Sequence, residues 1–222
     1  MATPAEVYTQ EAYFSSRLPY DPQREPLWKI LCAYLQRDFP KADSILEIGG
    51  GYCHFINNTP ARERHVIDVF PGVLQYAAAG VKAHVRSCTD LSLFPAASLD
   101  VVFASNLFEH LTVEELHETL AEVWRVLAPD GKLLIIQPNF KYCYREYFDD
   151  YTHRQVFTDV SLPDLLVSKG FQIQKVIPRF LPFSLKSSGP KCPWLLKMYL
   201  ASPWRPLAGQ MYILAGKDRL KR

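Results

Sequence analysis

Cysteine is scarce in this chain, and its arrangement argues against two kinds of site. The five cysteines are odd in number and widely scattered, and none lies in a Cys-x-x-Cys pair. They therefore indicate neither a disulfide framework nor a zinc cluster, and they favour a reducing environment. No apolar run reaches the roughly 18 residues of a membrane-spanning helix, and the first ten residues lack the basic and apolar regions of a signal peptide. We therefore expect a cytoplasmic location.

Internal repeats, low-complexity tracts and a large net charge are also missing. A length of 222 residues with 48% hydrophobic residues suits one globular domain. The net charge of +2 conceals an asymmetry, because residues 171–222 contain ten Lys or Arg and one acid. This basic region indicates contact with something anionic. Nucleic acid is not expected, since the basic residues form no helical stripe and no known binding module.

Short apolar runs alternate with amphipathic stretches, which predicts an α/β fold. The runs expected as strands are 44–48, 65–69, 84–88, 99–105, 133–137, 171–177 and 211–214. Helices are predicted at 25–39, 113–127 and 161–170, with capping boxes at Thr112 with Glu115 and at Ser161 with Asp164. Several strands are apolar throughout, as in a parallel sheet buried on both faces. Ligands in such sheets bind at the carboxyl ends of the strands.

Residues 178–209 interrupt the alternation. They are rich in Pro, Trp and Lys and show no strand pattern. We therefore divide the single domain 1–222 into an N-terminal lid and helix (1–40), a nucleotide-binding core (41–177), this insertion (178–209), and a last strand with a basic tail (210–222).

Three strand ends carry a pattern that suits a nucleoside. The first strand runs into Gly49-Gly50-Gly51, where glycine lets the backbone turn sharply and approach a ligand. Asp68 ends the second strand, and Asp90 follows the third. Each acid alone is as well explained as a cap or a surface charge, but both follow a glycine turn in order. His54 stands where a dinucleotide site needs its third glycine, which weakens a pyrophosphate interpretation.

These motifs together resemble the class I S-adenosylmethionine-dependent methyltransferases over residues 44–216. The resemblance rests on 47–51, Asp68, 89–91, 100–111 and the turn 126–133. It implies a Rossmann-like sheet of seven mostly parallel strands, with an antiparallel last strand and helices on both faces. It also implies S-adenosylmethionine as cofactor. The implied cofactor-binding residues are Glu47, Gly49 and Gly51 near the methionine part, Asp68 at the ribose, Thr89, Asp90 and Leu91 at the adenine, and Asn106 at the sulfonium.

Further stretches are similar to bacterial methyltransferases of surface-polysaccharide and glycolipid assembly. They are Tyr13-Phe14 with Arg17, residues 51–57, the loop 149–153 and the basic insertion. The acceptor implied is a sugar or lipid-linked glycan. Adenine- and glutamine-methylating relatives carry Pro-Pro after the fourth strand, whereas Leu107-Phe108 follows Asn106 here. Those substrates are therefore not expected.

A hydroxyl acceptor needs a general base, and two histidines compete for that role. We favour His153, which Asp149 or Asp150 would orient, over His110 just past the fourth strand. Each of them could instead be a structural histidine. No metal site is predicted, since Asp150 and His153 alone provide only two ligands. The alternatives are an amine or carbon acceptor, which needs no base at His153, and a catalytically silent protein with the same fold.

The insertion suits either of two surroundings. Trp194, Leu195, Lys197 and Tyr199 have the composition of a peripheral membrane element, and the nearby basic residues would attract anionic headgroups. A membrane contact through 178–209 would place the protein at the inner face of the membrane. Alternatively, the insertion caps the substrate pocket and buries Trp194 and Leu195 in protein.

Overall fold

The computed structural model describes residue 13 and residues 18–182 and 192–218. Phe14 and Arg17 lie outside the described residues, as does the 183–191 part of the predicted insertion. Within the described part, no helix is both long enough and apolar enough to cross a bilayer.

Seven strands form one mixed sheet. Their bounds are β1 Ser44–Ile48, β2 Glu63–Asp68, β3 Val81–Val85, β4 Leu99–Ser105, β5 Leu127–Pro138, β6 Phe171–Pro182 and β7 Ala208–Lys217. The order across the sheet is β3-β2-β1-β4-β5-β7-β6. β7 is antiparallel to both of its neighbours, and the other six strands are parallel to one another. The predicted fold class is confirmed.

Helices cover both faces of the sheet. They are α1 Glu25–Leu35, α2 His54–Asn58, α3 Val73–Tyr76, α4 Val113–Val126, α5 Phe140–Cys143, α6 Ser161–Ser168 and α7 Pro193–Ala201. Along β4 the side chains alternate between two cores: Val102 packs with α4 and α6, whereas Phe103 packs with α1 and α2. Burial on both sides explains why this strand is apolar at almost every position.

One of the two predicted capping boxes is confirmed. The Thr112 hydroxyl accepts from the Glu115 N–H at 3.2 Å, and the Glu115 carboxylate accepts from the Thr112 N–H at 2.8 Å. The box at Ser161 is wrong, because Val160 occupies the N-cap position of α6. The Ser161 hydroxyl instead accepts from the Thr158 N–H at 2.9 Å. Ser161 is the first helical residue, so its side chain serves the preceding loop.

Several predicted boundaries differ from the structure. Strand β3 starts and ends three residues before its predicted range, because residues 86–90 already form a turn whose Ser87 hydroxyl accepts from the Thr89 N–H. The helix predicted to reach 39 ends at Leu35 and is followed by a 3-10 turn. The sequence predicts that the insertion begins at 178, whereas residues 178–182 continue β6. β6 is an edge strand with a neighbour on one side only, and proline, which has no N–H to donate, is tolerated in such a strand.

The carboxyl ends of β1, β2, β4 and β5 lie along one edge of the sheet, which we call the carboxyl edge. The antiparallel strand β7 begins at this edge, since its Gln210 pairs with Pro138 at the end of β5. The segment between β6 and β7 therefore leaves from and returns to this same edge.

Candidate active site at the carboxyl edge

The glycine turn after β1 is tightly packed. Gly49 and Gly51 have φ angles of +68° and +49°, in the left-handed region that favours glycine. A Cβ atom on Gly50 would lie 2.1 Å from Cγ2 of Val66, and one on Gly49 would lie 2.9 Å from Cδ1 of Leu107. The turn thus requires glycine for close approach as well as for conformation.

Asp68 joins the end of β2 to this turn. Its carboxylate accepts from the Gly51 N–H at 2.7 Å and from the Phe70 N–H at 2.8 Å, one bond to each oxygen. Burial raises the pKa of Asp68, and these backbone hydrogen bonds act in the opposite direction. Each carboxylate oxygen can accept a second hydrogen bond. Asp68 can therefore hold the turn and bind a pair of hydroxyls at the same time.

Glu47 lies beneath the glycine turn and is buried. Its carboxylate accepts from the Ile56 N–H in α2 at 3.0 Å. Burial raises the pKa of Glu47 to about 8, although the Ile56 hydrogen bond opposes this shift. The side chain thus links β1 to the helix that follows the turn.

This raised pKa predicts a pH dependence of folding. Glu47 holds its proton more tightly in the folded state, so its contribution to stability is full below about pH 4.5 and is lost as pH rises towards 8. Gln at this position can still accept from the Ile56 N–H but cannot ionise. We expect Glu47→Gln to raise the melting temperature at pH 8 and to change it much less at pH 5. Thermal unfolding without cofactor, with exposed Glu118→Gln as control, checks this. An equal effect at both pH values would contradict it.

The residues predicted at the adenine lie in different surroundings. Asp90 is half-exposed and accepts from the Arg86 guanidinium at 2.8 Å and from the Ser92 N–H at 3.1 Å. The Thr89 hydroxyl lies 2.8 Å from that of Ser87. Leu91 is fully buried in the core, and its N–H donates to the Glu122 carboxylate at 3.1 Å. The structure thus leaves the Asp90 carboxylate at the surface and turns the Leu91 side chain inward.

Asn106 is exposed at the end of β4 and has a φ of +49°. Its N–H donates to the Ile136 carbonyl at 2.9 Å, and its side-chain oxygen accepts from the Gln210 amide at 3.1 Å. Sequence reasoning did not find Gln210, because it comes from the far end of the chain and reaches this edge only through the antiparallel direction of β7. The cofactor-binding roles of these residues remain predictions.

The structure brings the two candidate bases together. The rings of His110 and His153 lie with their centroids 5.0 Å apart. The Nδ1 atom of His153 lies 2.6 Å from the Tyr147 carbonyl oxygen, which can only accept, so Nδ1 carries the proton. The Nε2 atom of His153 therefore carries a lone pair.

The partners of His110 assign the same tautomer. Its Nδ1 lies 2.9 Å from the Thr152 hydroxyl, whose own proton goes to the Asp150 carboxylate at 2.6 Å. Nδ1 of His110 must therefore donate, and Nε2 carries a lone pair. Burial lowers the pKa of both His110 and His153. Both imidazoles are therefore favoured in the neutral form.

Glu109 is a third member of this cluster, and sequence reasoning assigned it no role. Its side chain is buried, and Oε2 accepts from the Gln137 amide at 2.9 Å. Oε1 lies 4.0 Å from Nε2 of His110. Burial raises the pKa of Glu109 to about 7. Its backbone carbonyl accepts from the N–H groups of Arg154 and Gln155, which joins the loop after β4 to the loop after β5.

One of the two predicted partners of His153, Asp150, makes no hydrogen bond to it. It accepts from the Thr152 hydroxyl and, at 2.9 Å, from the Tyr13 hydroxyl. The Tyr13 ring also lies edge-on to His110, with centroids 6.0 Å apart. Asp150 thus acts on His110 through Thr152, and the Tyr147 carbonyl takes its place at His153. The backbone conformation of the 147–153 loop determines which group hydrogen-bonds to each histidine, and a sequence pattern does not specify that conformation.

Comparisons with known proteins assign the core of this fold. Residues 46–135 match the model of a family described as a methyltransferase domain. This part of the chain is therefore similar to a methyltransferase domain. The range includes the glycine turn, Asp68, Asp90 and the cluster residues Glu109 and His110.

Similar proteins agree with this assignment. A phosphoethanolamine N-methyltransferase of Plasmodium falciparum (isolate 3D7) is 24% identical over 145 residues, which cover 58% of this chain and 53% of that protein. The chain thus spans about half the length of this curated relative.

Two solved structures have a similar fold. One is a SAM-dependent methyltransferase from Archaeoglobus fulgidus, with a TM-score of 0.64, 19% identity, and coverage of 95% of this chain and 100% of that one. The other is the N-methyltransferase NodS from Bradyrhizobium japonicum bound to S-adenosyl-L-homocysteine, with a TM-score of 0.64, 14% identity, and coverage of 96% and 98%. The family match supports the predicted methyltransferase class for residues 46–135, and the solved structures agree with the predicted fold. The polysaccharide subgroup and the acceptor stay predictions.

Proposed function

We propose that the chain transfers a methyl group from S-adenosylmethionine to a hydroxyl of a sugar or lipid-linked glycan. One observation carries the hydroxyl assignment. Two neutral imidazoles present Nε2 lone pairs at the carboxyl edge, beside the buried carboxylate of Glu109. A hydroxyl must lose its proton as it attacks, and this cluster is suited to promote that loss.

The residues of the glycine turn fit the cofactor. The positive φ angles of Gly49 and Gly51 give the turn its shape, and glycine lets a backbone approach a ligand closely. Beyond its backbone hydrogen bonds, the Asp68 carboxylate keeps acceptor capacity for the ribose hydroxyls. When bound, S-adenosylmethionine supplies a methyl carbon activated by a positive sulfonium, and the bonding electrons stay with sulfur. The glycine turn and Asp68 would hold this group in line with the acceptor.

The histidine cluster would act on the acceptor. Nε2 of His153 is the predicted proton acceptor, and the Tyr147 carbonyl holds its ring in place. Phe148 and Tyr151, in the same loop, are 60% and 69% exposed. Exposed aromatic rings can stack against the apolar face of a sugar, which supports a glycan acceptor.

Product analysis tests the acceptor class. The purified chain and S-adenosylmethionine would be incubated with hydroxyl-bearing glycans and glycolipids and, separately, with phosphoethanolamine and other amines. Mass spectrometry would follow S-adenosylhomocysteine release, and NMR would locate the new methyl group. We expect a methyl ether on a glycan, in an amount greater than in a control without protein. Methylation restricted to nitrogen would contradict the proposal.

Amine methylation is the second candidate function. It is favoured by two of the similar proteins, which are N-methyltransferases by name. An amine that arrives unprotonated already carries a free lone pair, so this reaction would need no base at His153. The product analysis above separates the two candidates.

Exposed apolar residues in the segment between β6 and β7 support a peripheral contact with the inner face of the membrane. We call four of them the patch: Trp194, Met198, Trp204 and Leu207, which are 59%, 61%, 77% and 86% exposed. Trp194 and Leu195 are 59% and 39% exposed, so the described residues do not bury them as a cap would. On the opposite side of α7, Leu200 is buried against α1. The patch lies on the segment that leaves and rejoins the carboxyl edge, where a lipid-linked acceptor would arrive.

Vesicle binding tests this contact. We expect the chain to co-sediment with vesicles that contain anionic phosphatidylglycerol at low salt, because Trp side chains insert at the interface and the basic region is attracted to the headgroups. The Trp194→Ser/Trp204→Ser variant should lose most of this binding. Leu93→Ser, at an exposed apolar residue outside the patch, should not. Absence of binding to anionic vesicles would remove the membrane contact.

A further inference from the structure

Three potential ligand atoms converge in the histidine cluster. One atom each from Glu109, His110 and His153 lies within 4.8 Å of the other two. They are a carboxylate oxygen and two imidazole nitrogens, and they come from the loops after β4 and β5. The sequence suggested only Asp150 with His153, because the buried position of Glu109 beside both rings is a property of the fold.

The hydrogen bonds leave a lone pair available on each of these three groups. Nδ1 of each ring is already used as a donor, to the Tyr147 carbonyl and to the Thr152 hydroxyl. Oε2 of Glu109 is used by Gln137, which leaves Oε1 towards His110. Electron-rich atoms this close to one another repel unless a proton or a cation lies between them.

The spacing suits a cation after a small closure. Three atoms that all lie within 4.8 Å of one another fit within roughly 2.8 Å of a common point, against about 2.0–2.2 Å in protein zinc sites. A rotation of one or two side chains covers this difference. Glu109 is buried and therefore pre-positioned, whereas His110 and His153 are half-buried and leave a side open to a further ligand.

The surroundings are those of metal ligands. Ligating histidines commonly donate their other ring N–H to a carbonyl or, directly or through a hydroxyl, to a carboxylate, which fixes the tautomer that presents the metal-binding nitrogen. Tyr147 serves His153 in this way, and Thr152 with Asp150 serves His110. The outer partners are thus in place for both rings.

We propose that Glu109, His110 and His153 bind one divalent transition-metal cation at the carboxyl edge. Two imidazoles and one carboxylate suit Mn²⁺, Fe²⁺, Co²⁺ or Zn²⁺, whereas Mg²⁺ prefers an all-oxygen set. Three protein ligands leave positions for water or substrate.

The catalytic use of this cation rests on the proposed function, but its binding does not. An acceptor hydroxyl on an open position would acquire a lower pKa and release its proton to solvent before it attacks. Nε2 of His153 would then be a ligand, and its loss would slow turnover by removing the cation.

Co²⁺ binding to the full chain, freed of any affinity tag and treated with chelator, tests the proposal. Calorimetry and visible absorption should show one Co²⁺ per chain with nitrogen ligands. Glu109→Gln, His110→Ala and His153→Ala should each weaken binding by at least about tenfold. His117→Ala, at an exposed histidine of α4, should bind as the unmodified chain does. Circular dichroism and S-adenosylhomocysteine binding would establish that each variant is folded.

The outcomes separate this proposal from the methyltransferase function. Absence of saturable Co²⁺ binding, or binding as tight in all three variants as in the unmodified chain, would overturn the cation site. If methyl transfer then persisted in EDTA, the proposed function would remain and His153 would act as the base. Specific Co²⁺ binding in a chain that binds no S-adenosylhomocysteine would support the cation site and contradict the proposed function.

Discussion

The His153→Ala variant is expected to lose at least about hundredfold in kcat while it binds S-adenosylhomocysteine as tightly as the unmodified chain. The imidazole presents its Nε2 lone pair at the carboxyl edge, and nothing in Ala replaces it. Asp68 and the glycine turn, which are predicted to bind the cofactor, do not hydrogen-bond to His153. Initial rates at saturating cofactor, with affinity measured by calorimetry, check both halves of the prediction.

A second substitution separates chemistry from loop structure at this position. Asn can donate from its side-chain amide near the place of Nδ1, so His153→Asn can keep the hydrogen bond to the Tyr147 carbonyl but lacks Nε2. We expect His153→Asn to be as slow as His153→Ala, and His117→Ala to retain full activity. If Asn restored the rate, His153 would only anchor the loop, and its assignment as base or ligand would be wrong.

Asp68→Ala is expected to weaken S-adenosylhomocysteine binding by at least about hundredfold, since a site built to hydrogen-bond hydroxyls loses both acceptors. It should also destabilise the folded chain, because the N–H groups of Gly51 and Phe70 lose their partner. An unsatisfied buried donor costs about 1–3 kcal/mol. Calorimetric titration at a temperature where the variant is folded, together with thermal unfolding, measures the two effects.

Glu63→Ala is the matched control, since Glu63 begins the strand that Asp68 ends. Glu63 pairs at the surface with Lys82, and surface pairs contribute little to stability. Its removal should leave both affinity and melting temperature close to those of the unmodified chain. If Asp68→Ala bound the cofactor product normally, the nucleotide site would have to lie elsewhere.

The order of elements and the sheet were predictable because their signals are local and redundant. The apolar run of β4 and the capping box of Thr112 with Glu115 each follow from a few adjacent residues, and both are present. The boundaries of β3 and β6 were less predictable. A turn through Ser87 ends the sheet pairing early, and an edge position lets β6 continue through two prolines.

The histidine cluster was only half predictable. The positions of His110 and His153 after β4 and β5 indicated that both would reach the carboxyl edge. Their partners depended on backbone geometry: the Tyr147 carbonyl, and a Thr152 hydroxyl that relays Asp150. Glu109 looked like an ordinary acid in a loop, since no local pattern shows that it is buried against Gln137.

The backbone carbonyl of Glu109 accepts two N–H groups from the loop after β5, at 2.7 Å from Arg154 and 3.1 Å from Gln155. The separation of the two histidines is therefore set by main-chain hydrogen bonds, which any residue except proline can donate. Phe148 and Tyr151, which project from the same loop into solvent, take no part in those bonds. Exchange of these two aromatic residues would thus be a route by which this scaffold acquires a different acceptor while its reactive centre stays intact.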